Sequence, residues 1–279
     1  MQREVDYIAA SKPTIEGAGV HLHRAFGYNE VPKYDPFLLL DDFGSENPDD
    51  YIKGFPWHPH RGIETITYVF DGEIQHEDSL GNKGTIGSGD VQWMNAGSGI
   101  IHKEMPQKFE GRMRGFQLWA NLPAKDKMSA PRYQGITAEE IPEVTSDDGV
   151  RVKIICGEYN GVKGPVEDVM ARPEYLDVTI PVGSTFTHSI PRGKNAFVYV
   201  ASGDVVIGSE RRLVPEEHVA HLSDGEELVL MAEHTPARCL VISGQPLGEP
   251  ISWHGPIVMN TKEEIELAFE EYQNGTFIK

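Results

Sequence analysis

Apolar positions along this chain come in short bursts separated by glycine, proline and charged turns. "ETITYVF" (64–70), "DVQWM" (90–94), "GFQLWANL" (115–122), "VRVKIICG" (150–157), "LDVTI" (176–180), "AFVYVASGDVVIG" (196–208), "ELVLMA" (227–232) and "RCLVISG" (238–244) are rich in β-branched and aromatic residues and broken before a helix could settle. Short strands at close spacing, with turn signals between them, predict an all-β sandwich or barrel. One stretch carries the helical period instead. In "NTKEEIELAFEEYQNG", Thr261 and Glu264 stand at capping-box spacing, Ile265, Phe269 and Tyr272 recur at helical intervals, and Gly275 is a stop, so a C-terminal helix is predicted. A weaker helical turn is expected at "TAEEIPEV" (137–144).

The pattern also repeats. "TYVFDGEI" (67–74) is echoed by "VYVASGDV" (198–205): an apolar strand, a glycine turn at Gly72 or Gly203, then a second strand. Further on, "GSGDVQWMNAG" finds a looser partner in "LSDGEELVLMAEH". Two similar β-barrels in tandem account for this, divided between Leu122 and Val144. Residues 1–130 are expected to form the first barrel, and 131–279, including the helix, the second.

Composition narrows the setting. The chain has 279 residues, enough for two units that each bury a core. Against 25 basic residues stand 43 acidic ones, a net charge of −18 with no local basic patch, so direct binding to nucleic acid or to an anionic membrane is not expected. The longest aliphatic runs, such as "FLLL" (37–40), fall far short of a bilayer span, and "MQREVDYIAASKP" lacks the basic-then-apolar order of a secretory signal. Cys156 and Cys239 sit in apolar strand-like runs and read as buried thiols in a reducing compartment. The expectation is a cytoplasmic monomer.

Chemistry enters with "FPWHPHRGIET" (55–65). Side chains of an extended segment alternate with a period of two, so His58 and His60 share a face and make half of a metal site. "NAGSGIIHKEMP" (95–106) offers the other half, His102 and Glu104, at the same spacing, with Gly97 and Gly99 allowing a tight turn beside them. Three imidazoles and one carboxylate converging from two barrel walls suit a divalent first-row metal: Fe(II), Mn(II), Co(II), Ni(II), Cu(II) or Zn(II). Four protein ligands on a metal that prefers six leave positions for water, oxygen or a chelating substrate. Spacing alone does not select, since His21 and His23 in "VHLHR" repeat it without a matching partner. In the second half His188 stands alone, and His218 and His221 are three apart and read as surface residues. That barrel is expected to be metal-free and structural.

"HPHRGIET", "GEIQHEDSLGN", "GDVQWMNAGSGIIHKEMP", "GFQLWANLP" and the closing "GEPISWHGPIVMNTKEEIELAFEEYQNGTF" together resemble the pirin family of bicupins. The resemblance runs from "GAGVHLHRAFG" and "YDPFLLLDDF" to the C-terminus. It implies two tandem cupin (jelly-roll) barrels with one mononuclear metal, iron(II) put first, in the N-terminal barrel. The implied ligands fall on His58, His60, His102 and Glu104. Many cupins take their carboxylate from shortly after the first histidine pair, where Glu64 stands here. In pirins it follows the last histidine, so Glu104 is the expected ligand and Glu64 a hydrogen-bonding residue behind the ligands. His76 in "QHEDS" is a further candidate neighbour of the site, with a structural histidine in a turn as the reading put first.

The resemblance to bacterial pirins further implies a quercetinase-type dioxygenase, an oxidoreductase that opens the heterocyclic ring of flavonols such as quercetin with O2. Glu104 would then be both ligand and acceptor of the 3-hydroxyl proton, with "FPW" and "WM" as an apolar entrance for an aromatic substrate. The alternative is a metal-binding, redox-sensitive regulator that acts through a protein partner without turnover.

Overall fold

The structure is a computed structural model and describes residues 1–167, 169–170 and 173–279. The chain condenses into two compact units, each assembled from separated segments. One unit comprises residues 13–29, 37–138 and 247–279, and the other 1–12, 30–36 and 139–246. The first contains all four candidate ligands and is called the histidine barrel below.

Among the described residues, the histidine barrel pairs a seven-stranded with a four-stranded sheet. Neighbour by neighbour, the larger sheet runs Arg132–Ile136, Val91–Asn95, Ile63–Asp71, Met113–Asn121, Phe37–Ser45, Val20–Phe26 and Lys12–Glu16. The smaller runs Phe55–His60, Ile100–Pro106, Ile74–Asp78 and Lys83–Ile86. The central strand Ile63–Asp71 is buried at every position from Ile63 to Phe70, which explains why its sequence is nearly continuous in apolar and small polar residues.

The second barrel repeats this order. Its seven-stranded sheet runs Val5–Ala10, His218–Leu222, Asn195–Ser202, Ala237–Gly244, Glu174–Ile180, Arg151–Cys156 and Glu143–Thr145. Its four-stranded sheet runs Thr185–Ser189, Glu227–Met231, Val205–Ile207 and Arg212–Val214. The echo between 67–74 and 198–205 therefore falls on equivalent strands, each turning at a glycine with positive φ, 112° at Gly72 and 69° at Gly203. The looser echo does not. Val91–Asn95 lies in a seven-stranded sheet, whereas Glu227–Met231 lies in a four-stranded one, at the place that Ile100–Pro106 takes in the histidine barrel.

The helix forms as its sequence predicts, over Lys262–Gln273, with Thr261 and Glu264 completing the capping box. Its destination differs from the expected division at 130/131. Residues 247–279 pack in the histidine barrel, where Ile257, Met259, Ile265, Ala268 and Phe277 form a buried cluster with Ile101 and Phe269 against it. Conversely, the N-terminal strand Val5–Ala10 completes the second barrel by pairing antiparallel with His218–Leu222. The physical reason is edge closure, because each terminal segment covers an apolar face that its contiguous neighbours leave open. The stretch at 137–144 makes a turn leading into the strand Glu143–Thr145 rather than a helical element. Cys156 and Cys239 are free, buried thiols, and no helix among the described residues is long and apolar enough to cross a membrane.

Candidate metal centre

Antiparallel pairing of Phe55–His60 with Ile100–Pro106 sets His102 directly opposite His58, and Ile100 opposite His60. Alternation then turns all three imidazoles to one side. Their ligand atoms lie within 4.8 Å of one another, with ring centroids 4.3 Å apart for His58 and His102 and 5.0 Å for His60 and His102. Beyond His102 the register slips before Glu104, which pairs across with His76 on the other neighbouring strand. The Glu104 Oε2 atom stands 4.0 Å from His102 Nε2, and the Thr67 hydroxyl donates to Oε1 at 2.9 Å.

The hydrogen bonds fix which nitrogens face inward. His58 Nδ1 donates to the Pro56 carbonyl at 2.9 Å, and His60 Nδ1 donates to the Pro256 carbonyl at 3.0 Å. Each ring therefore presents an Nε2 lone pair, and the two Nε2 atoms face each other at 3.0 Å. Two lone pairs at that distance repel unless a cation sits beside both. Two nitrogens about 2.1 Å from a common ion and at right angles to it would be about 3.0 Å apart. Both nitrogens of His102 are buried without any hydrogen-bond partner, a costly arrangement for a ring that nothing coordinates. The donor set therefore fits a divalent metal, with backbone carbonyls in the outer positions that orient ligating imidazoles.

Burial sets the protonation states. Desolvation lowers His58 and holds His60 and His102 well below the ordinary histidine range, so the rings are neutral donors. The same desolvation pushes the Glu104 carboxyl up to about 7 against the opposing Thr67 hydrogen bond. A cation nearby would return that carboxyl to its charged form.

The cluster opens onto a cavity of about 820 Å³ whose lining includes His58, His60 and Glu104. Its wall is mainly apolar and aromatic. Trp119 stacks edge-on to His60 at 5.1 Å and faces Trp253 at 5.7 Å, and Phe55 and Trp57 stand on the same lining. A cavity of this size, with a few polar groups on an apolar wall, has the make-up of a small-molecule site.

The sequence profile described as Pirin matches residues 19–120, and the one described as Pirin C-terminal cupin domain matches residues 175–278. The chain belongs to the pirin family. A pirin-like protein of Caulobacter vibrioides is 44% identical over 276 residues, covering 99% of each chain. The pirin of Homo sapiens is 41% identical over 277 residues, covering 98% of this chain and 93% of its own. The crystal structure of quercetin 2,3-dioxygenase from Acinetobacter baumannii superposes with a TM-score of 0.92 at 36% identity, covering 99% of both chains. The fold is thus the bicupin of the pirin family.

Within this pirin-family barrel the remaining sequence candidates take other places. Glu64 is buried, but it alternates away from Thr65 and Thr67 along its strand and is not on the cavity lining; burial pushes it up to about 7. His76 lies in the strand Ile74–Asp78 rather than in a turn, bonded to Asp78 at 3.2 Å, stacked on Tyr133, and 5.5 Å from His102 ring to ring. Of the expected entrance, Phe55, Pro56 and Trp57 line the cavity, whereas Trp93 and Met94 are buried off it. His21 is exposed beside Asp50. His221 is not a plain surface residue: it packs edge-on against Tyr34 at 5.4 Å. His188 is buried and pairs with Glu174 at 3.0 Å. At the second barrel's counterpart of the ligand strands, Phe186 and Leu230 stand opposite each other and join an apolar core.

Sequence reasoning missed Thr67, Gln117, Trp119 and the segment Trp253–Pro256. The threonines of "TITYVF" were a signal, being polar residues at alternate positions of an otherwise apolar strand. Nothing in the sequence links Pro256 to His60, 196 positions away.

Proposed function

We propose that this protein is a metal-dependent dioxygenase that opens the heterocyclic ring of flavonols with O2, with His58, His60, His102 and Glu104 holding one divalent first-row metal, iron(II) first among the candidates. The observation that carries the reading is the buried Glu104 carboxyl, placed between converging histidine lone pairs and an aromatic cavity large enough for a three-ring substrate. The Acinetobacter baumannii relative, a quercetin 2,3-dioxygenase by name, supports the choice of substrate class.

When bound, the metal supplies a Lewis acid for a hydroxy-ketone chelate and a path for electrons between substrate and O2. The protein does the rest. Trp119, Trp253 and Phe55 hold the flat substrate and exclude water from the reacting ring. Glu104 would loosen as a ligand to accept the 3-hydroxyl proton at Oε2 while Thr67 holds Oε1 in place, because a carboxylate held by a dication is too weak a base. Ring opening then incorporates both oxygen atoms of O2 and expels the carbon that bore the hydroxyl as carbon monoxide.

The test is anaerobic flavonol binding followed by admission of O2. The parent should show the red-shifted absorption of the bound anion, consume oxygen and release carbon monoxide. Glu104→Gln should bind flavonol in its neutral form and lose turnover by about a hundredfold or more, the usual worth of a positioned base. A parent that binds flavonol but consumes no oxygen with any of the candidate metals contradicts the enzyme reading and leaves the regulatory one.

A further inference from the structure

From Thr67 a polar row crosses the cavity lining, and its members beyond Thr67 serve neither metal ligation nor proton removal. In cross-strand register Thr67 stands opposite Gln117, Gln117 opposite Asp41, and Asp41 opposite Arg24. All four line the cavity, among apolar neighbours such as Leu22, Leu39 and Phe43. The row begins at the residue that holds Glu104 and ends at the far side. Thr67 Oγ1 lies 2.7 Å from Gln117 Oε1, and Arg24 bonds both Asp41 oxygens at 2.8 Å, Nε to Oδ1 and Nη2 to Oδ2. Arg24 Nη1 reaches Glu16 at 2.9 Å on the rim.

The same strands show what a purely structural ion pair looks like here. On the opposite face Arg114 bonds Asp42 at 2.5 and 3.1 Å, and its guanidinium is roofed by the rings of Phe70 and Phe116. Among the described residues no aromatic ring roofs Arg24 in this way, and the Arg24–Asp41 pair lines the cavity. Replacing a buried ion pair by well-packed apolar groups is often neutral or stabilising, so an ion pair on an apolar cavity floor needs a reason besides stability. Its bonding capacity is also unfilled. Three of the five guanidinium N–H groups go to Asp41 and Glu16, and each Asp41 oxygen accepts one bond with a further lone pair to spare.

We infer that Gln117, Asp41 and Arg24 form a recognition subsite for the outer phenolic hydroxyls of a planar polyphenol whose other end sits at the histidines. The inference rests on the flavonol reading above and adds the part of the substrate that is read. Strands are spaced by about 4.8 Å, so Asp41 lies about 10 Å and Arg24 about 14 Å from Thr67. A three-ring flavonol is shorter than this backbone span, so its outer hydroxyls would meet the side chains of the Arg24–Asp41 pair that line the cavity rather than the strands themselves. Asp41 accepts from a phenol O–H and Arg24 donates to a phenol oxygen. The aromatic wall holds the rings between.

The experiment compares binding of quercetin with that of 3-hydroxyflavone, which keeps the chelating end and lacks the outer hydroxyls, to metal-loaded protein without O2. The parent should prefer quercetin by about tenfold or more, the worth of one or two hydrogen bonds with a charged partner. Arg24→Met combined with Asp41→Leu should bring the ratio to about one while 3-hydroxyflavone binds within about threefold of the parent. Asp41→Asn, which keeps the volume, is the second variant and should lose most of the preference with the fold and the metal content retained, at some cost in melting temperature for the Arg24 partner it weakens. A parent ratio near one overturns the inference with no variant needed, and so does a preference that persists in either folded variant. In both cases the flavonol reading stands, because 3-hydroxyflavone still binds. Failure of 3-hydroxyflavone itself to bind the metal-loaded parent overturns both.

Discussion

Glu104 and Glu64 are both buried carboxyls pushed up to about 7, yet Glu104 comes within 4.0 Å of His102 Nε2 and lines the cavity, and Glu64 does not line it. The difference follows from parity along the strands, and it separates their expected behaviour. Because His60 and His102 are held well below 6.5, protons compete with metal near neutrality through Glu104 and not through the imidazoles. If Glu104 is a ligand, as proposed, metal binding displaces one proton from it below about pH 7, so affinity should be level above that pH and fall about tenfold per unit down to about pH 5.5. Thr67→Val should move the onset of the fall upward, since losing a hydrogen bond to the charged form raises the pKa further. Glu104→Gln should bind more weakly with no slope in this window, and Glu64→Gln should keep both slope and stoichiometry. A competitive titration against a fluorescent chelator measures all four, and an unchanged slope in Glu104→Gln would sink the assignment. The two histidine pairs were legible in the sequence because alternation is a local rule. The carbonyls that fix their tautomers were not, because Pro256 reaches His60 only through tertiary packing.

At the scale of elements, the C-terminal segment has more to do with the histidines than a distant helix would suggest. Residue Gly62 has a φ of 78°, and any Cβ there would come within 2.0 Å of the Val258 carbonyl. Gly99 has a φ of 144°, and its Cβ would meet the Phe277 carbonyl at 2.8 Å. Both glycines let the segment lie directly against the chain beside the histidine-bearing strands Phe55–His60 and Ile100–Pro106. Buried basic side chains then tie it down: Lys127 Nζ, which burial pushes down to about 7, donates to Gly62 O, Asn121 Oδ1 and Val258 O at 2.6–2.9 Å, and Arg61 donates to Phe277 O at 2.9 Å and pairs with Glu271 at 2.7 Å. Lys127→Met takes the donor from Asn121 Oδ1 and Val258 O, each worth about 1–3 kcal/mol before relaxation, while the Gly62 carbonyl keeps its bond from the Leu122 N–H at 3.3 Å. The melting temperature should fall by several degrees or more, and metal affinity should fall with it because the same segment carries Pro256. A variant that melts lower but keeps parental affinity, measured on the same sample, would separate the segment from the site. The helix itself was legible from its capping box and period. Its place was not, since nothing local distinguishes a helix that completes the first barrel from one that completes the second.

Across the whole molecule, two barrels share one strand order and differ in what fills the equivalent of the ligand strands. The histidine barrel places imidazoles there, and the second barrel places Phe186 and Leu230 in an apolar core. Strand existence and the tandem repeat could be read from the chain because each strand's burial is written in its own residues. The exchange of terminal segments could not, because strand-edge closure is decided between residues more than a hundred positions apart. The central claim is that His58, His60, His102 and Glu104 hold one divalent metal at the floor of the cavity. Its most direct test is elemental analysis of untagged protein purified without chelator, alongside His102→Ala and His21→Ala. One equivalent of metal per chain is expected in the parent and in His21→Ala, and none in His102→Ala with its fold retained. Stoichiometric metal in His102→Ala would contradict it.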